Sequence, residues 1–258
     1  MFSDETYTTL NMNDKNTITN NITAILKRIE KTCESCNRNP DEVKLLLAVK
    51  TVPADRIKMA FEAGQTLVGE NKVQEIKSKF DELAGFPHQK HFIGHLQTNK
   101  IKDILKFNVT CIQSLDRLDL AEKLNQRLTF EKKEMDVLIQ VNTSAEESKF
   151  GISPDNTIEF IKQVSLFENI RIKGLMTIGL FSAETEKVRK CFKLLKELQQ
   201  EIIRRNIPNV TMDELSMGMS GDLETAIEEG ATIVRVGTAI FGHRMYPDSY
   251  YWNENKRN

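Results

Sequence analysis

Long apolar runs are missing from this chain. None approaches the roughly 18 residues of a membrane-spanning helix. Residues 1–21 are polar and lack the apolar core of a secretory signal. Charge of one sign is missing too. Lys and Arg number 36 against 37 Asp and Glu, a net charge of -1, so no global field recruits nucleic acid or an acidic membrane. Any anion site must therefore be local. Cysteine is sparse, at four residues. Cys33 and Cys36 form one C-x-x-C, but inside a stretch with helical periodicity and with no second pair. Reduced thiols are expected there rather than zinc or redox chemistry. No Gly-, Pro- or Ser-rich linker marks a domain boundary. No G-x-G-x-x-G follows the first strand-like run, which argues against dinucleotide binding. These absences predict a cytoplasmic chain with one folded unit.

What is present is an alternation. After a polar segment, 1–14, expected to be a loosely held tail, Ile22, Ile25, Leu26 and Ile29 recur at helical spacing within 15–38. Strand-like runs follow over 44–50, 66–69, 91–94, 109–113, 136–142, 172–178, 214–217 and 232–236. Each leads into a helix-like segment, the one after the fifth strand opened by Ser153 with Pro154 behind it. Eight such units in 258 residues predict an α/β fold, a single (β/α)8 TIM barrel over 15–244 with an extra N-terminal helix. A surface tail is expected over 245–258, with no C-terminal β-domain. An open doubly wound sheet is the alternative. Barrels of this kind collect function at the C-terminal ends of their strands. Lys50, Asn71, His95, Ser114, Lys149, 216–220 and 235–238 should then ring one mouth.

Lys50 ends the first strand. Five apolar residues, Leu45 to Val49, run into it, and Thr51, Val52 and Pro53 follow. A run of this kind reads as a strand buried on both faces. An amine at its end is costly to desolvate unless it is paired or its pKa is lowered. A lowered pKa makes it a nucleophile towards carbonyl compounds. For an isolated lysine at a strand end, solvent is the usual destination; closure of a barrel changes that, because it sets the first strand beside the eighth.

The loops after strands 7 and 8 carry the complementary chemistry. Ser216, Met217, Gly218, Met219, Ser220 and Gly221 join strand 7 to a helix, and glycines and hydroxyls around a helix start can cradle an anion. Gly237 and Thr238 close strand 8 in the same way. These are the loops in which barrels commonly hold phosphate. Arg235 lies between Val234 and Val236, and a buried guanidinium demands an acceptor, either a structural carboxylate or a ligand ring nitrogen. A lysine, a phosphate cradle and an arginine beside a pyridine nitrogen are the parts of a pyridoxal 5'-phosphate (PLP) site.

Six segments make this specific: 47–53 (LAVKTVP), 69–75 (GENKVQE), 91–100 (HFIGHLQTNK), 114–117 (SLDR), 215–222 (LSMGMSGD) and 235–242 (RVGTAIFG). In order and spacing, from about residue 18 to 244, they resemble the YggS-type pyridoxal phosphate homeostasis proteins. The resemblance implies a barrel like the N-terminal domain of alanine racemase, with Lys50 as the Schiff-base lysine and Arg235 facing the pyridine nitrogen. It also implies Asn71 near the cofactor ring and the loops of Ser216, Met217, Gly218, Ser220, Gly237 and Thr238 around the phosphate. Val49 and Lys72 depart from the family, which often has Ser and Tyr there. The implied role is a PLP carrier or buffer in PLP homeostasis without robust catalysis. The expected chain is a monomer serving apo PLP-dependent enzymes, with no nucleic-acid or membrane partner. An arginine opposite the ring leaves the pyridine nitrogen unprotonated and weakens the cofactor as an electron sink. The four tyrosines, Tyr7, Tyr246, Tyr250 and Tyr251, lie outside the barrel units and offer no obvious second base. A small PLP-dependent amino-acid racemase or related enzyme is the alternative.

Three other features carry less. His88, His91 and His95 have suggestive spacing for a metal, but His91 and His95 bracket a strand and no carboxylate completes a set, so no metal is expected. Lys149 and Lys100 could be secondary PLP-handling lysines or solvated loop charges.

Overall fold

A computed structural model describes residues 4–146, 149–180 and 182–242, with side chains from residue 12 onward. Eight strands alternate with helices: β1 (Lys44–Ala48), β2 (Leu67–Glu70), β3 (Gln89–Phe92), β4 (Cys111–Leu115), β5 (Met135–Gln140), β6 (Ile170–Met176), β7 (Val210–Ser216) and β8 (Ile233–Val236). All neighbours are parallel and the sheet closes, β8 pairing back on β1 with Leu46 opposite Arg235 and Leu47 opposite Val236. Closure removes the open doubly wound alternative. It also explains why β1, β5 and β8 read as apolar runs: they are covered inside and out.

Two apolar clusters follow from the two faces of the sheet. Leu46, Cys111, Leu138, Met176 and Ile233 plug the barrel interior, while a much larger cluster fills the space between barrel and helices. The outer helices are α2 (Ala54–Glu62), α3 (Val73–Leu83), α4 (Ile101–Lys106), α5 (Leu118–Glu131), α6 (Pro154–Val164), α7 (Thr185–Arg205), α8 (Leu223–Glu228) and α9 (Thr238–Phe241). Ser153 is the N-cap of α6 with Pro154 at its first position, as its sequence predicts.

The leading helix is longer than its periodicity indicates. α1 runs Asp4–Ser35, so helical backbone reaches well into the segment expected as a tail. One anchor of this extension is visible: Asp14 receives both Nε and Nη2 of Arg56. Ile18, Ile22, Ile25, Ile29 and Cys33 form its buried stripe, whereas Leu26, expected on that stripe, is exposed. α1 lies against α2, α8 and α9, which flank the β1–β8 seam. Asn21 Nδ2 donates to Ile240 O, Arg28 forks onto Glu224, and Arg38 donates to the carbonyls of Ile227 and Ala231. The helix thus ties the first barrel unit to the last. The expected tail over 245–258, with Tyr246, Tyr250 and Tyr251, lies outside the described residues. Among the described residues, no helix is long and apolar enough to cross a membrane.

Candidate functional site at the barrel mouth

Residue parity along a strand decides what faces the interior. Leu46 and Ile233 belong to the interior plug. Arg235, two residues beyond Ile233 within β8, continues an inward-facing row towards the C-terminal mouth, and Lys50 stands at the same end of the barrel, two residues past the close of β1. The seam pairing of β1 with β8 sets them on adjacent strand ends, although 185 residues separate them (235 − 50).

Arg235 is buried, and its acceptors are now visible. Nη1 donates to Ser216 Oγ at 2.9 Å and Nη2 to Thr177 O at 2.8 Å. Neither is a carboxylate, so the structural ion pair considered from the sequence is not what holds it. Burial without a bonded counter-ion pulls its pKa down to about 10, with Asp222 opposing the shift from a distance. Ser216 Oγ passes the chain on to Gln113 Oε1 at 2.6 Å, and Gln113 Nε2 lies 2.8 Å from His91 Nδ1. The donors run one way along this chain. Arginine can only donate, so Ser216 accepts from it and donates to the Gln113 carbonyl. The Gln113 amide then donates to His91 Nδ1, which fixes His91 as the neutral Nε2–H tautomer. The Ser216 hydroxyl therefore points into the barrel as part of the support for Arg235, and Met217 beside it is fully buried.

His91 gives a stability prediction with a definite sign. Burial, aided by the Lys44 cation, lowers its pKa to about 4 from 6.5, with Asp136 opposing. A histidine with a depressed folded-state pKa stabilises the fold above the unfolded value and loses that stabilisation as pH falls through the folded one. Urea denaturation between pH 7 and pH 4 should therefore show a His91-linked loss of about 3 kcal/mol. His91→Gln should flatten that slope; a variant as acid-sensitive as the parent would refute the assignment.

The loop after β7 turns on a glycine. Gly218 has φ +89°, and a Cβ there would meet Ala226 Cβ at 2.4 Å, so the turn requires glycine. Arg235 N donates to Gly218 O, joining the loop after β7 to strand β8. Ser220 and Gly237 are half-buried and Thr238 is exposed at the start of α9. The first-turn N–H groups of α8 and α9 have no acceptor within their own helices. The Asp222 carboxylate accepts from Met219 N and shapes the β7 loop.

Around Lys50 lies a cluster that the sequence reading missed. Glu70, at the end of β2, is buried; Lys79, on α3, donates to Glu70 Oε1 at 2.7 Å and to Val49 O at 3.0 Å, and pairs with Glu75 Oε2 at 2.9 Å. Burial raises the Glu70 pKa to about 7, against the pull of Lys79 and, more weakly, of Lys50. Its signal in the sequence was Lys79 itself, a charge on the stripe of Val73, Ile76 and Leu83 that α3 buries. Asn71 follows Glu70 and is half-buried. Val49 points away into the core between barrel and helices, so the change from the usual Ser does not reach the mouth.

The remaining candidates are taken up by contacts within the protein. Ser114 is buried within β4, its hydroxyl on Gly94 O. His95 stacks on Phe150 at 4.0 Å between centroids, His88 stacks on Phe61, and His91 is engaged by Gln113. Among the described residues, no three metal-ligating side chains converge. Lys149 bonds Gly179 O and pairs with Glu146, bridging the loops after β5 and β6. Lys100 ends a 3-10 turn, Thr98–Lys100, before α4. All four cysteines are free thiols, and burial raises the Cys33 pKa.

The fold and this mouth define a class. The family model for the alanine racemase N-terminal domain matches residues 19–245. A pyridoxal phosphate homeostasis protein of Aquifex aeolicus is 44% identical over 225 residues, covering 87% of this chain and 97% of the relative. One from Escherichia coli K12 is 39% identical over 236 residues, covering 90% and 98%. The chain belongs to the pyridoxal phosphate homeostasis protein family. Among solved structures, PipY of Synechococcus elongatus with PLP bound superposes with a TM-score of 0.73 at 31% identity, covering 83% of this chain and all of that one.

Proposed function

We propose that this chain holds PLP at the C-terminal mouth of the barrel, covalently through the Lys50 amine, and serves intracellular PLP homeostasis as a carrier or buffer. The observation that carries the reading is the closed seam, which sets Lys50 and the buried Arg235 on adjacent strand ends beneath two glycine- and hydroxyl-bearing loops. The donor set suits the cofactor. The Ser220 and Thr238 hydroxyls and the first-turn N–H groups of α8, from Leu223, and of α9, from Thr238, suit a phosphate monoester, whereas the Ser216 hydroxyl expected among them is spent inside the barrel on Arg235 and Gln113. Arg235, held at two points from below, matches a ring nitrogen that accepts, and Asn71 stands at the end of β2 beside the ring's expected position. When bound, PLP supplies an aldehyde that condenses with a primary amine, releasing water. The protein's part is to present that amine, to fix the phosphate and to keep the pyridine nitrogen unprotonated, since a guanidinium far more basic than pyridine does not yield its proton. That last property favours storage over turnover. The carrier stage has apo PLP-dependent enzymes as its recipients.

The test is borohydride reduction of the PLP-loaded protein followed by peptide mass spectrometry. The reduced pyridoxyl group is expected on Lys50. A group mapped to Lys100, Lys149 or any other lysine would overturn the site. Racemisation of L- or D-amino acids well above that by free PLP would overturn the carrier reading and favour an enzyme.

A further inference from the structure

The chain bends sharply straight after Lys50. Thr51 has φ +65°, a left-handed conformation that strains a β-branched residue and persists only where the surroundings over-determine it. The surroundings here are three charged side chains. Thr51 N donates to Glu75 Oε2 at 3.1 Å, on the chain just after Lys50. Lys79 Nζ donates to Val49 O at 3.0 Å, on the chain just before it. The same ammonium joins the two grips, pairing with Glu75 Oε2 at 2.9 Å and bonding Glu70 Oε1 at 2.7 Å. The Lys79 and Glu70 side chains are only 9% and 5% exposed, so this is a desolvated cluster rather than a surface ion pair. Val49 N in turn donates to Gly69 O, tying the same residue to β2.

Resting on the assignment of Lys50 as the PLP-bearing lysine, we propose that Lys79, with Glu70 and Glu75, is a positioning group for Lys50: it clamps the backbone on both sides of that residue and so aims its amine into the mouth. A buried ion cluster is a poor source of net stability against apolar packing. Its use is geometric. An ammonium has three donors, and this one spends them on two carboxylates and one carbonyl, the carbonyl being that of the residue before Lys50. Without the clamp, Thr51 can relax towards the ordinary right-handed or extended regions, and the Lys50 Cα–Cβ direction turns with it. Lys50 in turn favours the ionised form of Glu70, so the cluster bears on the charge of the amine as well as on its direction.

The test uses Lys79→Met and, because removing Lys79 strands a buried carboxylate, Glu75→Ala, whose side chain is 30% exposed and whose loss leaves the Lys79–Glu70 pair intact. Two quantities are read on each variant. The first needs no cofactor: the pH profile of Lys50 acetylation by acetic anhydride in the PLP-free protein, followed by peptide mass spectrometry. The second is the apparent Kd for PLP from titration of the visible band. The expected results are a displaced Lys50 profile and a Kd weaker by about tenfold or more, with the reduced adduct still on Lys50. A merely structural role lowers Tm without moving the Lys50 profile. If Glu75→Ala folds and both its profile and its Kd match the parent, the clamp is refuted. An adduct mapped elsewhere in the parent refutes the site assignment instead, whatever the acetylation profile shows.

Discussion

Lys50→Ala is expected to abolish the visible absorbance of PLP-loaded protein and to remove the borohydride-stabilised adduct from the peptide spanning 45–53, while the barrel stays folded. The effect on binding is all-or-none because only the residue 50 amine ends β1 at the seam. The effect on the fold is small for stated reasons. Lys50 is half-buried and follows β1 rather than belonging to it. The backbone bonds that shape its turn, from Thr51 to Glu75 and from Lys79 to Val49, do not use its side chain. Loss of its charge removes one favourable influence on Glu70, so that carboxyl should titrate still higher. Absorbance and far-ultraviolet circular dichroism on one sample decide the matter. A variant that retains the band with a native spectrum would mean that another lysine carries PLP.

Gly94→Ala is expected to be the most damaging single-methyl addition near the site. Gly94 follows β3 in the His-Phe-Ile-Gly-His segment. A Cβ there would stand 2.1 Å from Asn71 O and 2.7 Å from its C and Cα. All three are backbone atoms, so no side chain can swing aside to make room. The chain must move where β2 hands over to Asn71, against Ile93 N, which bonds Glu70 O at 2.8 Å, and Ser114 Oγ, which bonds Gly94 O. Overpacking of this kind costs about 1–3 kcal/mol or more, a drop in Tm of roughly 2–4 °C per kcal/mol for a domain of this size. PLP affinity should fall as well, since Asn71 is displaced with the backbone. A variant with parental Tm and affinity would show that Asn71 lies elsewhere.

The architecture was legible because most strands carry an apolar run and the turns between them are marked, although β3 has only Phe92 buried. The β1 run up to Val49 and the Ser153–Pro154 helix start both read directly. What escaped was set by partners distant in sequence. The reach of α1 back to Asp4 has no periodic signal, and its visible anchor is the Asp14–Arg56 pair across 42 residues. Leu26 fits the helical spacing but falls on the stripe's edge, where no neighbour covers it. In the candidate site, Lys50, Arg235 and the glycine loops announced themselves by charge or by breaking a strand. Ser216 was legible as a site residue, but the direction of its hydroxyl, towards Gln113 and Arg235, depends on strands β4 and β8. Glu70 drew no reading from the sequence, because its partner Lys79 lies nine residues on, two turns into α3.

The α1-bound seam has a consequence for how the molecule is made. Contacts between β1 and β8 span almost the whole chain, and long-range pairings of this kind form late, since a large loop must close before they return any energy. Lys50 leaves the ribosome early and waits for Ser216 to Thr238. An incomplete chain has the amine but neither the guanidinium nor the glycine loops. Capture of PLP on the proposed site thus becomes a report on a finished ring, and the ligand, binding only the closed form, adds its own free energy to keeping the seam shut.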